Sequence, residues 1–382
     1  MGGLYVRSGL ISSSRMIEPD DFGLNWEETL SNVSHASRNR LHGAFWQQWH
    51  RALDDREPEF RPIGTDDDPS DSTATHVFDG DGSVPIGCRI QYPDEPPRAI
   101  VILLHGYEEP PPLAESIDRA HVVPGVAVIA MRVRGYAGSR ARVGNLKAGE
   151  LGWITSGLAE PVEHGASLTE WVLSHAVADL LLCVRAARAL LGRELPVYIR
   201  GESFGGGLAS IAAARSCAMA CKHPEQLIDR VVIGLPTFGD WRWRLERVHP
   251  NSLGAGGEVK RFLLASGEAA EGMRKLLDLF DAALHAEHLS CPALFKVAVK
   301  DEVVPAPTQS AIYNAIGTPP GLKGRFVTQF GHFDGGLTDL RRHAMFERIS
   351  RDFLDPDRQP MDVLAEWEDV MTTGVRRPEE IS

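Results

Sequence analysis

Strand-length apolar runs alternate with helical patterns from residue 99 to residue 354. Residues 99–104 and 125–133 are continuous apolar runs, which are typical of strands buried on both faces of a sheet. The same pattern predicts four further strands and four long helices. The strands cover 195–200, 230–235, 293–299 and 325–330, and the helices cover 168–191, 205–220, 306–316 and 337–354. Such alternation predicts the α/β class, with a mostly parallel sheet covered by helices on both faces.

One domain accounts for most of the chain. We predict it over residues 41–355, beginning with an amphipathic helix at 41–53. Residues 237–289 interrupt the alternation with helical and loop segments, which predicts a helical, cap-like insertion. Residues 1–40 show no sustained period and residues 31–40 are polar, which predicts a poorly ordered N-terminal arm. Residues 356–382 are predicted to form a C-terminal tail.

The composition excludes several classes of function. The 382 residues include 52 acidic and 40 basic side chains, a formal net charge of −12. Without a basic cluster, neither a nucleic acid nor an anionic membrane is an expected partner, and no apolar run reaches the length of a membrane span. Five scattered cysteines without a C-x-x-C pair argue against a disulfide framework or a zinc site. Because residues 1–16 lack the apolar core of a secretion signal, we expect a cytoplasmic protein.

The most informative motif is Gly201-Glu202-Ser203-Phe204-Gly205, which stands between a predicted strand and an Ala-rich helix. This G-x-S-x-G pattern in a strand–turn–helix context is typical of a serine nucleophile. A sharp turn would raise the Ser203 hydroxyl above the sheet, and glycines leave room for the close approach of the flanking backbone. The following helix would direct its N-terminal N–H groups at developing negative charge.

A serine nucleophile needs a base and an orienting acid, in the chain order Ser, acid, His. The strand at 293–299 leads to Asp301, and the strand at 325–330 leads to His332. Because the carboxyl ends of parallel strands meet at one edge of the sheet, we predict that Ser203, Asp301 and His332 form a catalytic triad.

An oxyanion hole requires two backbone N–H groups near the nucleophile. We expect one from Phe204, the residue after Ser203, and the other from Tyr107 in the loop that follows the strand at 99–104. Gly106 gives that loop backbone freedom. His105 precedes it at a buried strand end, and we interpret His105 as structural rather than as the base.

Together these motifs resemble the acetyl xylan esterases and cephalosporin C deacetylases, carbohydrate esterase family 7 of the α/β-hydrolases. The resemblance spans roughly residues 40 to 355. The matching segments are Phe45-Trp46, His105-Gly106-Tyr107, Arg134-Gly135-Tyr136, residues 151–158, Gly201 to Gly207, Lys300 to Pro305 with Tyr313-Asn314, and Gly331-His332. The resemblance implies the α/β-hydrolase fold, with Ser203, Asp301 and His332 as the triad and Tyr107 and Phe204 as the oxyanion donors.

Three polar signature positions of that family are aromatic in this chain. Its two glutamines correspond to Tyr136 and Phe204, and the glutamate after its histidine corresponds to Phe333. These aromatic side chains either line a more apolar acyl or alcohol pocket or fill the space of a lost polar network. Trp241 either lines the site from the insertion or packs on the core. We therefore assign substrate contacts to Tyr136, Phe333 and Trp241 as hypotheses.

The resemblance implies a serine hydrolase that cleaves an acetyl or other small acyl ester through an acyl-enzyme. It implies a small-molecule ester substrate and a homo-oligomer, and the triad chemistry needs no metal or organic cofactor. Two alternative functions use the same triad, an acyltransferase or cyclase and a hydrolase of amide or carbon–carbon bonds. A third alternative is a catalytically silent binding protein with the hydrolase fold.

Overall fold

A single mixed sheet organises the protein. The computed structural model describes residues 22–36, 38, 42–119, 123–139, 152–159, 170–332 and 335–373. The strands within these residues are β1 (Arg61–Pro62), β2 (His76–Asp79), β3 (Pro85–Gln91), β4 (Ala99–Leu104), β5 (Val126–Met131), β6 (Val197–Glu202), β7 (Arg230–Gly234), β8 (Ala293–Lys300) and β9 (Lys323–Phe330). They pair in the order β1-β2-β3-β5-β4-β6-β7-β8-β9. In this spatial order, the three pairs β1–β2, β2–β3 and β3–β5 are antiparallel. The remaining pairs, from β5–β4 to β8–β9, are parallel, which confirms the predicted mostly parallel sheet.

The central strand β4 shows why its sequence is apolar throughout. It lies between β5 and β6, with Ile102 opposite Ile129 on one side and Ile199 on the other. Successive residues of a strand face opposite sides of a sheet. Accordingly, Ile100, Ile102 and Leu104 belong to one hydrophobic core, while Ala99, Val101 and Leu103 belong to a second core. Both faces of the strand are therefore covered.

Helices cover the two faces unequally. The larger core is formed with α2 (His42–Arg51), α4 (Val172–Leu191), α5 (Phe204–Met219) and α10 (Ala306–Ala315), and the smaller core with α3 (Leu113–Arg119), α11 (Gly336–Leu354), α12 (Pro360–Glu366) and α13 (Glu368–Thr373). Among the helices of the described residues, none is both long enough and apolar enough to cross a membrane.

Residues 237–289, predicted as a helical, cap-like insertion, contain four α-helices. They are α6 (Trp241–Arg247), α7 (Gly254–Ala265), α8 (Ala270–Leu279) and α9 (Ala282–Ala286). Helix α7 packs beside the short turn Trp153–Thr155, whereas α9 packs on α5 and α10. One end of the insertion therefore joins the main core. Its description as a cap stays a prediction.

Both terminal segments contain helices that were not predicted from the sequence. In the predicted arm, α1 (Trp26–Ser31) has a capping box between Asn25 and Glu28 and packs against α10. In the predicted tail, α12 packs on α11 and α13 packs on β9, with Val363 and Met371 buried. A few apolar side chains suffice to dock these short helices. Residues 1–21 and 374–382 lie outside the described part of the chain.

A group of buried basic side chains surrounds Trp46 in α2, and we call His42, His50, Arg215 and His285 the Trp46 cluster. The His285 ring lies 4.7 Å from the Trp46 ring, and the Arg215 Cζ atom lies 5.1 Å from it. Within the described residues, both ring nitrogens of His50 and the Nε and Nη2 atoms of Arg215 are buried without hydrogen-bond partners. Burial, reinforced by the charge of Arg215, lowers the pKa of His50 to about 3. His50 is therefore neutral in the folded protein near pH 7.

Candidate active site

Ser203 stands on a strained turn between β6 and α5. Its backbone has φ 55° and ψ −113°, a region that a residue with a side chain rarely adopts. The Ser203 N–H donates to the Gly234 carbonyl on β7 at 2.8 Å, and the Ser203 carbonyl accepts from Gly207 at 2.9 Å. The surrounding backbone therefore holds the turn that the G-x-S-x-G motif predicted.

The structure brings Ser203, His332 and Asp301 together. The His332 Nε2 atom lies 2.8 Å from the Ser203 Oγ atom. The His332 Nδ1 atom lies 2.8 Å and 3.0 Å from the two carboxylate oxygens of Asp301. Since a carboxylate only accepts, Nδ1 carries a proton, and Nε2 can accept the proton of Ser203. A hydroxyl hydrogen-bonded to such an imidazole is suited to nucleophilic catalysis.

Asp301 is fully buried and is held by several hydrogen bonds. Its carboxylate accepts from the N–H groups of Val303 at 3.0 Å and Val304 at 2.9 Å. The Gln309 side-chain amide donates to it at 3.1 Å, and that amide also contacts Ala298 on β8. Sequence reasoning missed Gln309, because a glutamine inside a helix gives no signal of what it contacts across a loop.

The charge environment favours a protonated imidazole at His332. Burial opposes the charged form, but the charge and hydrogen bond of Asp301 and the charges of Glu302 and Glu202 outweigh it, so the pKa of His332 is raised above 6.5. Burial, together with the charge of Asp301, raises the pKa of Glu302 to about 7. Within the described residues, both carboxyl oxygens of Glu302 are buried without hydrogen-bond partners. A second ionisable carboxyl group thus influences the imidazole.

Gly331 is required by the close approach of two loops. A Cβ atom at position 331 would overlap the Asp301 carboxylate and would also come within 3.1 Å of the Ala298 side chain. The absence of a side chain therefore lets the carboxylate lie directly beneath the backbone that carries His332.

An ionic network beneath the turn connects three secondary-structure elements. The Lys296 Nζ atom on β8 lies 2.9 Å from each carboxylate oxygen of Glu202. Burial opposes the charge of Glu202, but Lys296 and Arg200 outweigh it and lower the pKa of Glu202 to about 2. Lys296 lies 3.4 Å from His343, and His343 lies 3.1 Å from Asp339 at the start of α11. Sequence reasoning missed this network, because its members are far apart in the chain.

The two predicted oxyanion donors lie on adjoining segments. Phe204 is the first residue of α5, where a helix leaves its N–H groups without intrahelical partners. Tyr107 lies in the loop after β4, and that loop touches the turn, because a Cβ atom at Gly205 would come within 2.8 Å of the His105 carbonyl oxygen.

His105 makes structural contacts. The Val133 N–H donates to its Nε2 atom at 3.0 Å, so its proton is on Nδ1, which donates to the Gly106 carbonyl at 2.7 Å. Burial, followed by the charge of Arg132, lowers the pKa of His105 to about 3. The neutral ring therefore fixes the peptide unit that joins Gly106 to Tyr107.

The Tyr107 side chain and carbonyl are also hydrogen-bonded. Its hydroxyl donates to the Glu258 carboxylate of α7 at 2.8 Å and accepts from the Ile154 N–H at 3.0 Å. The Tyr136 hydroxyl donates to the Tyr107 carbonyl at 2.6 Å. Sequence reasoning did not identify Glu258 or Ile154, since neither belongs to a recognisable motif.

At two of the altered signature positions, Tyr136 and Phe204, the aromatic side chains are buried in the interior. Phe204 is fully buried, with its ring centroid 4.8 Å from that of Trp153 and 5.8 Å from that of Phe238. Tyr136 is 2% exposed and Trp241 is 1% exposed. Substrate contact by Tyr136 or Trp241 therefore stays a prediction. Phe333, the third predicted substrate contact, lies outside the described residues.

Over the residues that the structure describes, no group of three or more His, Cys, Asp or Glu side chains is arranged to hold a metal ion.

Comparison with known proteins gives a family match and similar structures. The profile of a family described as acetyl xylan esterase (AXE1) matches residues 12–347. The acetyl xylan esterase from Paenibacillus sp. R4 is 19% identical, with a TM-score of 0.65 over 86% of this chain and 99% of that chain. Acetyl xylan esterase 1 from Thermoanaerobacterium sp. JW/SL YS485 is 22% identical, with a TM-score of 0.61 over 85% of this chain and 98% of that chain. These two structures show a shared fold.

Proposed function

Because this chain belongs to the acetyl xylan esterase family, and is therefore a carboxylic ester hydrolase with the α/β-hydrolase fold, we propose that Ser203, His332 and Asp301 are its catalytic triad. The substrate is a small-molecule ester. The observation that carries the proposal is the continuous hydrogen-bonded chain from the Ser203 hydroxyl through His332 to Asp301, with a shortest distance of 2.8 Å at each step.

In the proposed reaction, His332 removes the Ser203 proton while the Ser203 oxygen attacks the ester carbonyl. His332 then donates that proton to the leaving alcohol, and an acyl-enzyme remains on Ser203. A water molecule, deprotonated by His332, then attacks the acyl carbon. The bond between that carbon and the Ser203 oxygen breaks, His332 returns the proton to Ser203, and the carboxylic acid is released. Asp301 keeps the proton on Nδ1 of His332 and stabilises the imidazolium that forms twice in each cycle.

The negative charge on the carbonyl oxygen in both steps requires hydrogen-bond donors. We assign this role to the N–H groups of Tyr107 and Phe204. Support comes from the position of Phe204 at the start of α5 and from the contact between the two segments at Gly205. Loss of one such donor typically lowers kcat by about 10²–10³.

We propose small acyl esters, with acetyl esters preferred, as the substrates. The two similar structures are both named acetyl xylan esterases, which makes acetylated sugars the first natural class to examine. The test is hydrolysis of p-nitrophenyl esters of increasing acyl length, beside acetylated xylose oligomers, with the released acid and alcohol identified.

Ser203→Ala is the decisive variant. We expect it to lose turnover by about 10⁶, and a fluorophosphonate should add its mass to Ser203 in the unaltered protein only. Ser210→Ala is the matched control, because Ser210 lies on the same helix and donates to the Gly206 carbonyl at 2.8 Å. Labelling at another residue, or normal turnover in Ser203→Ala, would refute the assignment.

Two further properties remain open to experiment. A homo-oligomer is implied by the family resemblance, and light scattering after size-exclusion chromatography tests it, since a mass near the 41.9 kDa of one chain would contradict it. The cytoplasmic location stays a prediction that fractionation of the source cells can check.

A further inference from the structure

Hydrogen bonds fix Tyr107 on both sides of its backbone. On the N-terminal side, His105 binds the Gly106 carbonyl, which belongs to the same peptide unit as the Tyr107 N–H. On the C-terminal side, the Tyr136 hydroxyl donates to the Tyr107 carbonyl at 2.6 Å. The second contact is made by a side chain that the proposed chemistry does not use.

The ring of Tyr107 is fixed as well. Its hydroxyl lies between the Glu258 carboxylate and the Ile154 N–H, at 2.8 Å and 3.0 Å. Burial, with the charge of Glu258, raises the pKa values of both Tyr107 and Tyr136. Both hydroxyls therefore remain protonated and act as donors, Tyr136 to the Tyr107 carbonyl and Tyr107 to Glu258.

An oxyanion donor has to be held within a fraction of an ångström of its working position. The loop at Tyr107 contains Gly106, whose backbone has more freedom than that of other residues. Contacts at the carbonyl and at the ring restrict the rotations about the Tyr107 Cα atom, and so limit the directions in which its N–H can point.

We propose that Tyr136 is a positioning residue for the reaction, holding the Tyr107 N–H toward the oxyanion through its hydrogen bond to the Tyr107 carbonyl, with Glu258 of α7 as the second anchor. This inference rests on the proposed function. It assigns to Tyr136 a structural contact with the oxyanion loop in place of a substrate contact, and it links the insertion to the catalytic centre through one tyrosine ring.

The main test is Tyr136→Phe, which removes one hydroxyl and keeps the ring. We expect kcat on p-nitrophenyl acetate to fall by about 10-fold, less than the loss of a donor itself, with KM changed by less than about twofold, since the hydroxyl acts on the transition state. Affinity for trifluoroacetophenone, which forms a tetrahedral adduct on Ser203, should fall by a similar factor. The pH at which activity is half-maximal should not move.

Tyr198→Phe is the control for loss of a hydroxyl from a buried tyrosine. Tyr198 is also 2% exposed, but it lies in the smaller core on the other face of the sheet. We expect normal kcat and normal inhibitor affinity. A fall in kcat shared equally by both variants, or an unchanged kcat in Tyr136→Phe, would overturn the proposal. So would a lower kcat with unchanged inhibitor affinity.

Glu258 is tested by a pair of substitutions. Glu258→Gln keeps an oxygen that accepts from the Tyr107 hydroxyl, whereas Glu258→Leu removes it. We expect Glu258→Leu to lose several-fold more kcat than Glu258→Gln, and equal losses would remove Glu258 from the proposal.

Failure of the proposed function would look different. If the unaltered protein neither cleaves esters nor takes the fluorophosphonate on Ser203, the function and this inference both fall. If it does both and Tyr136→Phe behaves like the unaltered protein, only the positioning role falls.

Discussion

Asp301 in the candidate active site and His50 in the Trp46 cluster are both buried, but they differ in their hydrogen bonding. Asp301 is fully buried, and its carboxylate accepts from His332, two backbone N–H groups and Gln309. His50 is 3% exposed, and within the described residues neither ring nitrogen has a hydrogen-bond partner. Both side chains are removed from water, but in the described part of the chain only the Asp301 carboxylate replaces its lost contacts with water by hydrogen bonds within the protein.

The difference shows what burial accomplishes in each place. Hydrogen bonds allow a charge to exist in a dry environment, which a triad needs in order to stabilise an imidazolium. Without them burial favours the neutral form, which is why the pKa of His50 falls to about 3. The hydrogen bonds around Asp301 therefore keep a charged carboxylate available for catalysis. In the Trp46 cluster, burial of neutral His50 makes the stability of the fold depend on pH.

Removal of the Asp301 charge should have the largest effect, which is a loss of kcat. Asp301→Asn replaces an acceptor of the His332 Nδ1–H with an amide, which favours the wrong tautomer, so we expect kcat to fall by about 10⁴. Steady-state kinetics on p-nitrophenyl acetate measures the loss. Asp357→Asn, at an exposed carboxyl group, is the control and should leave kcat unchanged. A loss below tenfold in Asp301→Asn would contradict the assigned role.

Protonation of His50 in the Trp46 cluster should have an intermediate effect, which is a loss of stability at acidic pH. The folded pKa of His50, about 3, lies below its ordinary value of 6.5, so the unfolded chain binds more protons between these limits. Stability is therefore lost as pH falls from about 6.5 toward 3, on the order of 3 kcal/mol at pH 4 from this residue. We expect the fall in Tm between pH 7 and pH 4.5 to be smaller in His50→Asn.

His249→Asn, an exposed histidine, serves as the control for that measurement. Its Tm should depend on pH as in the unaltered protein. An identical pH dependence in His50→Asn would show that protonation of His50 does not cause the sensitivity to acid.

The smallest expected effect is a shift in the pH profile on substitution of Glu302. Within the described residues, Glu302 resembles His50 in its lack of hydrogen bonds and resembles Asp301 in its influence on His332. It is unpaired among the described residues, like His50, yet its charge raises the pKa of His332. Glu302→Gln should therefore lower the pKa of His332, so that the neutral base persists to lower pH. The acid limb of the kcat/KM profile should shift downward in pH. Glu268→Gln, an exposed carboxyl variant, should leave it in place, and a limb that does not shift in Glu302→Gln would contradict this electrostatic role.

The sequence was sufficient to predict the parallel sheet and the meeting of Ser203, Asp301 and His332. Each of these three residues stands two or three positions after a predicted strand, and the carboxyl ends of parallel strands meet at one edge of the sheet. The supporting contacts could not be predicted in this way. Gln309 and Glu258 reach the site across loops or from another helix, so no local period or motif marks them.

The altered signature positions illustrate the same limit. The sequence left open whether Tyr136 lines a pocket or fills lost space, because both need an aromatic ring. Its hydroxyl contact with the Tyr107 carbonyl depends on how two loops fold against each other. The docking of α13 on β9 was not predicted either, although Val363, Trp367, Val370 and Met371 of the predicted tail stand at helical spacing.

Gly331 constrains how this site can change. Since the Asp301 carboxylate occupies the space of its missing methyl group, no other amino acid can enter that position without displacing the acid. A library randomised at residue 331 should therefore return mostly inactive clones. The loop that carries Asp301 and the loop that carries His332 can therefore be redesigned only together. An ancestral protein with alanine at position 331 would have needed a different backbone path in one of these two loops.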